Sequence, residues 1–318
     1  MKYLSGLALS LALLVGLPGA TLAFQKIQLD IKPQGDFVLE PGKTEVNLKP
    51  GETALRTITI TNRVDHETTF TLTEEDIRGT DDPTTAVALL GDERGPYSLK
   101  DLVKPEITTF TLNPGEQIII PVSVSATAGT PPGGYYGAIV ASTENTNAVS
   151  NTGQTKIISR LGSIFLVRVA GDVNESGHLS DFKTLGPKQT FYQKGPDGFE
   201  IQFTNDGNVH LVPYGVVTIK NLFGQTVGQI PVSAYFALPS SIRYRQVEWE
   251  KPSFLLGYYT ATVDLYPGYG NEQTSTQTCS LSFWILPLYI IIPLLAGLLV
   301  LVGIFYLIIT RFEVRRKS

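Results

Sequence analysis

Ile58-Thr59-Ile60-Thr61-Asn62 alternates apolar and hydroxyl side chains, and Phe199-Glu200-Ile201-Gln202-Phe203 repeats the pattern in the second half of the chain. A period of two puts every apolar residue on one face of an extended strand and every polar one on the other. Thr, Ile and Phe are also the residues that suit a pleated, half-buried surface. Working outward, the same alternation recurs in Phe70-Thr71-Leu72-Thr73, Phe110-Thr111-Leu112 and Val122-Ser123-Val124-Ser125. Strands with one wet face pack in pairs of sheets, so residues 24–283 are predicted to be all-β. Lys49-Pro50-Gly51-Glu52 and Asn113-Pro114-Gly115-Glu116 each follow a Leu. Pro followed by Gly fits a type II turn, because Pro fixes φ at the second position and Gly accepts positive φ at the third. Glu40-Pro41-Gly42-Lys43 is predicted to be a third such turn. Only Asp81 to Leu102 departs from the pattern, and a short helical turn inside a long loop is expected there.

The two ends differ from the middle. Lys2, the apolar run Leu7 to Leu17 and Thr21-Leu22-Ala23 match the positive, apolar and small-residue parts of a secretory signal, so residues 1–23 are expected to be removed after Ala23. The residue after that point is Phe24 and not a Cys, which argues against a lipid-anchored form. Ile285 to Thr310 carries no charge and is long enough as a helix to cross a bilayer with some tilt. Trp284, Tyr289 and Tyr306 stand where interfacial aromatics stand, and Pro287 and Pro293 fall in the outer half. The expected span is 284–310. Residues 311–318 hold Arg311, Arg315, Arg316 and Lys317 against Glu313, which places the tail on the cytoplasmic side and 24–283 outside.

Composition narrows the function. The formal charge is −4; without Lys2 and the +3 tail, residues 24–284 carry −8, which gives no reason to expect nucleic-acid binding. One Cys excludes an internal disulfide and a Cys-based metal cluster. That residue, Cys279, reads either as a juxtamembrane apolar side chain or as a link between chains. His66, His178 and His210 are far apart, and none has a nucleophile in a triad-like setting. Glu74-Glu75-Asp76 and Asp81-Asp82 could in principle supply a carboxylate pair, but acidic runs beside loops are usually solvated surface. No enzyme, cofactor or metal is expected. Asp172, Asn174, Ser176 and Gly177 match the opening of a calcium loop, yet its twelfth position is Lys183 rather than an acid, so an interdomain turn is the better reading.

The halves echo each other. Ile60-Thr61-Asn62 resembles Phe203-Thr204-Asn205, and Gly134-Tyr135-Tyr136-Gly137-Ala138 resembles Gly257-Tyr258-Tyr259-Thr260-Ala261. Each tyrosine pair is expected to put one ring in a core and one at the surface, with a shared ligand platform as the other reading. Ser163 to Ala170 reads as the last strand of the first unit, the polar stretch Thr143 to Thr155 as an exposed loop before it, and 171–177 as the linker. The expected fold is an all-β ectodomain of two tandem Ig-like β-sandwiches, 24–172 and 173–283, followed by a single transmembrane α-helix.

This order of features resembles the WxL-interacting protein family of bacterial surface proteins. The matching stretches are Leu48-Lys49-Pro50-Gly51-Glu52 before the strand 58–62, Pro131-Pro132-Gly133-Gly134-Tyr135-Tyr136-Gly137-Ala138-Ile139, and Ser163-Ile164-Phe165-Leu166-Val167-Arg168-Val169. Phe203-Thr204-Asn205-Asp206-Gly207-Asn208-Val209-His210 and Ile219-Lys220-Asn221-Leu222-Phe223-Gly224 continue it, with the likeness strongest over 40–170 and looser over 180–280. The resemblance implies a type I membrane protein with a peptidoglycan-binding-like first domain and an Ig-like second one. Its expected partners are peptidoglycan or another wall polymer, a secreted surface protein, and the membrane through residues 284–310. The alternative is a structural or assembly component of a surface complex that binds no wall polymer. Turn and strand motifs identify a fold better than a ligand, and no binding residues follow from them.

Overall fold

The computed structural model describes residues 24–144, 158–187, 189–268 and 276–311. The expected signal, most of the 143–155 loop and the tail beyond Arg311 lie outside the described residues.

The first unit holds β1 (Gln25–Gln28), β2 (Phe37–Glu40), β3 (Lys43–Leu48), β4 (Thr53–Asn62), β5 (Thr68–Gly79), β6 (Val87–Leu89), β7 (Val103–Pro105), β8 (Thr109–Leu112), β9 (Glu116–Ser125), β10 (Gly133–Glu144) and β11 (Arg160–Val169). One sheet runs β1-β9-β4-β2 with β7 also on β9; the other runs β3-β11-β10-β5-β6 with β8 also on β5. Ile58, Ile60, Ile118, Ile120 and Val122 of the first sheet meet Phe70, Phe110, Ile139, Phe165 and Val167 of the second, all buried. The Phe70 ring lies 5.2 Å from Phe37 edge-on and 5.7 Å from Phe110 nearly parallel.

The two Leu-x-Pro-Gly-Glu turns form as predicted. Gly51 and Gly115 have φ of 84° and 73°. In each, the Glu side chain reaches back: the backbone N–H of Lys49 donates to Glu52 and that of Asn113 to Glu116, both at 2.8 Å. Glu40-Pro41-Gly42-Lys43 is different, because it carries the chain from β2 in one sheet to β3 in the other. It is held against β11, where Ser163 Oγ donates to Pro41 O at 2.6 Å and Ile164 N to Gly42 O at 3.0 Å. The stretch 86–90, expected to hold a helical turn, forms β6 instead; a single helical i→i+4 bond comes later, from Val103 N to Leu99 O at 3.2 Å. Asp76, fully buried, accepts the N–H groups of Gly95 and Leu99 at 3.0 and 2.9 Å and bends the segment between β6 and β7 into turns.

The second unit holds β12 (Gly177–Thr184), β13 (Phe191–Tyr192), β14 (Gly198–Asn205), β15 (Tyr214–Asn221), β16 (Thr226–Val232), β17 (Ser241–Glu248), β18 (Gly257–Tyr266) and β19 (Gln277–Ile285). Its sheets are β12-β14-β17 and β13-β19-β18-β15-β16. Phe199, Phe203, Val217, Trp249, Tyr259, Val263, Phe283 and Ile285 fill the space between them.

The helix α1 runs Leu288–Arg311, about 36 Å at 1.5 Å per residue, uncharged until its last residue and with no residue buried. By length and composition it is a candidate membrane span. The expected start at 284 is corrected: Trp284 and Ile285 belong to β19, paired with Tyr258 and Gly257 of β18 and with Phe191 and Tyr192 of β13. Pro287 separates the two elements, as suits the first turn of a helix. The second sandwich therefore extends to Ile285, beyond the expected 283. Cys279 is also corrected: it lies mid-strand opposite Val263, half-buried against the core, about 20 Å along β19 from the helix.

The sandwiches pack on each other. Residues 233–240, between β16 and β17, lie against the outer face of β5, β10 and β11, where Phe236 and Leu238 cover Ile77, Tyr136, Ala138, Val140, Ile164 and Leu166. Gly79 is required here, since a Cβ on it would overlap the Ser241 side chain. Gly79→Val is expected to open this contact without unfolding either sandwich, seen as new protease cleavage at 171–176 with unchanged far-UV circular dichroism.

Candidate functional site

The residues singled out by sequence mostly do structural work. Glu75 is buried and paired with Arg160, and Asp81 accepts the Ile242 N–H at 3.1 Å, so the acidic runs are not a facing carboxylate pair. His66 bonds exposed Asp65 at 2.9 Å and His178 bonds Asp206 at 2.8 Å. The 172–183 segment is bound to the turn after β14: Asn174 N donates to Asn208 Oδ1 at 2.9 Å, Asn208 N to Asn174 O at 3.0 Å, and Asp206 N to Ser176 O at 2.8 Å. Lys183 pairs with Glu200 at 2.9 Å. Among the described residues no cluster of His, Cys, Asp or Glu could hold a metal.

The tyrosine pairs split by face, with one departure from expectation. Tyr135 packs on the first core and Tyr259 fills the second, while Tyr258 stays half-exposed beside Trp284, ring centroids 5.3 Å apart. Tyr136 points out of its own sandwich yet is buried, because the second unit covers it. Its hydroxyl accepts the His210 backbone N–H and bonds Nδ1 of the same ring at 3.2 Å. Burial holds that imidazole neutral, with its pKa lowered to about 4.

A cleft of about 490 Å³ opens beside this contact, lined by Ile77, Arg78, Tyr97, Tyr136, Leu238 and Pro239 among others. β17 starts at its mouth and is an edge strand, paired only with β14. The Ile242 N–H points away from β14, toward Asp81. By the two-residue period the backbone groups of Tyr244 and Gln246 also face outward along the open edge.

Two side chains of this strand break the pattern of its neighbours. Arg243 and Arg245 stand opposite Phe203 and Ile201, on the face turned to the sandwich interior. Charged residues aimed inward are one way an edge strand resists unwanted pairing. Arg243 lies 5.9 Å from the Phe236 ring centroid and Arg245 5.9 Å from that of Tyr235, and Lys43 of the first sandwich approaches Phe236 at 5.7 Å. Among the described residues, Nε of Arg243, Nε of Arg245 and the Tyr235 hydroxyl are buried with no hydrogen-bond partner. Burial pushes the Tyr235 pKa up and that of Arg243 down. Three buried donors without acceptors beside an open edge are suited to a carboxylate or carbonyl oxygen. The sequence pattern did not reveal this group, because the inward direction of the arginines follows only from the register with β14.

No family model and no curated protein sequence matches the chain. Solved structures similar to it include a chaperone–tip adhesin complex of CFA/I fimbriae (TM-score 0.38, 10% identity, 79% of this chain and 99% of that one). Others are the class 5 fimbriae chaperone CfaA (0.36, 12%, 79% and 100%) and the Pseudomonas aeruginosa chaperone CupB2 (0.32, 10%, 76% and 98%). Likeness at this level carries no functional argument, which rests on the chain's own surface.

Proposed function

We propose that the chain is a membrane-anchored binding protein of the cell surface whose two sandwiches capture an extended segment of a protein partner. The segment adds as a strand to the free edge of β17, and an acidic group of it meets Arg243, Arg245 and Tyr235. The observation that carries this is the group of three unpaired buried donors beside an open strand edge. Strand addition supplies main-chain affinity, and the side-chain site supplies selection. The signal, the span and the basic tail support an exported ectodomain with the tail inside, in keeping with the resemblance to WxL-interacting proteins. No feature of the described residues favours peptidoglycan over a protein partner.

The test is a photo-crosslinking residue placed at Tyr244 or Gln246 in the full chain in cells. Adducts to one segment of a protein are expected at both positions. Arg243→Ala with Arg245→Ala is expected to reduce them tenfold or more, since each charge-assisted bond contributes about 1.5–3 kcal/mol. Adducts that ignore the arginines, or retention on insoluble peptidoglycan with no protein adduct, would overturn the proposal.

A further inference from the structure

The strand β19 passes into α1 through two residues, Leu286 and Pro287, and neither is free. Leu286 N donates to Tyr192 O at 2.7 Å, and Pro287 O accepts the N–H groups of Ile290 and Ile291 at 2.9 and 3.0 Å. Two residues span about 7 Å at most, comparable with the headgroup layer on one side of a bilayer. If α1 spans a membrane, the end of the second sandwich from which it leaves stands in that layer.

The pairing shows what else lies at this end. Gly257 faces Ile285, Tyr258 and Phe191 face Trp284, and Asn221 faces Tyr259. Three tips, 191–195, 221–225 and 252–257, therefore surround the root of the helix. They carry Phe191, Leu222, Phe223 and Phe254 at 60%, 68%, 84% and 58% exposure, with Leu256 and Trp284 also exposed. Apart from these, the large apolar side chains exposed on the described part of this sandwich are Tyr214 and Tyr266. Those two stack on each other at 5.3 Å on the opposite end. None of the three tips contains Asp or Glu, although the ectodomain as a whole is acidic. Lys194 and Lys251 border a cleft of about 300 Å³ whose other wall includes Tyr289 of the first helical turn, so the cleft joins the sandwich to the helix. Lys251 is held by Asp197 at 2.7 Å, while Lys194 makes no ion pair among the described residues.

An exposed apolar set of this size needs a cover. We infer that this end of the second sandwich docks on the bilayer that anchors the chain. Phe191, Leu222, Phe223, Phe254 and Leu256 enter the boundary between headgroups and acyl chains, and Lys194 reaches lipid phosphate. Aromatic side chains favour that layer, and Lys extends its charge to it along an apolar stem. Trp284 and Tyr258 continue on strands the aromatic belt that a spanning helix carries at its end. The sandwich then stands on the membrane as a fixed pedestal, with the β17 edge at a set height and tilt. The inference rests on α1 as a spanning helix.

The experiment uses the full chain with Cys279→Ala, in nanodiscs of phosphatidylethanolamine and phosphatidylglycerol. Single cysteines replace Phe223, Phe254, Leu299 within the helix, or Leu55 on the first sandwich, and each takes a nitroxide label. Collisions with oxygen, which enters lipid, are compared with those of a water-soluble nickel chelate. The labels at 223 and 254 are expected to favour oxygen several-fold more than the label at 55, approaching the one at 299. Labels at 223 and 254 as open to nickel as the one at 55, with 299 in lipid, would overturn docking and leave the span intact. Labels shielded from both reagents would overturn it in favour of contact with a second copy of the chain. A label at 299 in water would remove the span and the docking with it.

Discussion

Asn62→Leu is expected to destabilise the first sandwich by about 3–5 kcal/mol, and Asn205→Leu the second by a similar amount. Both asparagines are fully buried at the end of equivalent strands, β4 and β14. Asn62 Nδ2 donates to the carbonyls of His66, Leu112 and Asn113 at 3.1, 3.0 and 3.2 Å, while its Oδ1 accepts the Val64 N–H at 3.1 Å. Asn205 repeats the scheme, donating to Val209 O and Ala237 O at 2.8 Å each and accepting from Gly207 N at 2.9 Å. Leucine keeps the volume but removes all of these bonds; Ala237 O keeps the Leu211 N–H and His66 O the Thr68 hydroxyl, so the cost falls on the other backbone groups, at about 1–3 kcal/mol for each that cannot find another partner. Aspartate would keep the acceptor but turn its second oxygen toward carbonyls, so it should not rescue. The two effects can be told apart, because the only tryptophans, Trp249 and Trp284, belong to the second sandwich. In urea titrations of the full chain, Asn205→Leu should move the tryptophan fluorescence transition. Asn62→Leu should move far-UV circular dichroism more than fluorescence. A cost under about 1 kcal/mol for both would mean these carbonyls find other partners on unfolding of the turn alone.

The echo of Thr-Asn after an alternating strand was legible as a repeat, but its cause was not. A buried amide that closes a turn looks like any polar residue until the carbonyls around it are known. The Pro-Gly-Glu turns were legible because Pro and Gly act through their own backbones. Where a residue's role depends on a distant neighbour, the sequence pattern is silent or misleading. Glu75 and Asp76 read as solvated surface, yet one meets Arg160 and the other two backbone N–H groups far along the chain. Apolar content blends across Ser282-Phe283-Trp284-Ile285 into the helix, so only Pro287 marks where the strand stops. One further signal lies in the sequence itself. Ala138-Ile139-Val140-Ala141 and Ile164-Phe165-Leu166-Val167 break the alternation of the other strands. A strand apolar on both faces needs a layer on each side. Here the second layer is the 233–240 segment of the other sandwich, which makes β10 and β11 the place where the two units join.

That junction should weaken in acid. His210 is neutral and buried there, its pKa lowered to about 4 from an ordinary 6.5, chiefly by burial. Glu45 on β3 acts to raise it, while Lys43 on β3 and Arg168 on β11 act to lower it. The opened state, in which the ring meets water, binds the proton more tightly than the closed one. Closure is therefore fully favoured above pH 6.5, loses ground as pH falls from 6.5 to about 4, and changes little below that. The loss is about 2 kcal/mol at pH 5 and about 3 kcal/mol at the acid limit, at 1.36 kcal/mol per pKa unit. The Tyr136 hydroxyl beside Nδ1 can donate to the neutral ring or accept from the protonated one, so the acid effect comes from burial. Hydrogen exchange of residues 235–242, corrected for the intrinsic rate at each pH, should speed up as the wild-type chain is taken from pH 7 to 5. His210→Gln, which stays uncharged, should show a flat profile over that range. Tyr136→Phe, which removes the acceptor of the His210 N–H, should raise exchange at every pH while keeping the slope. A wild-type profile as flat as that of His210→Gln would show that the imidazole does not govern the contact between the sandwiches.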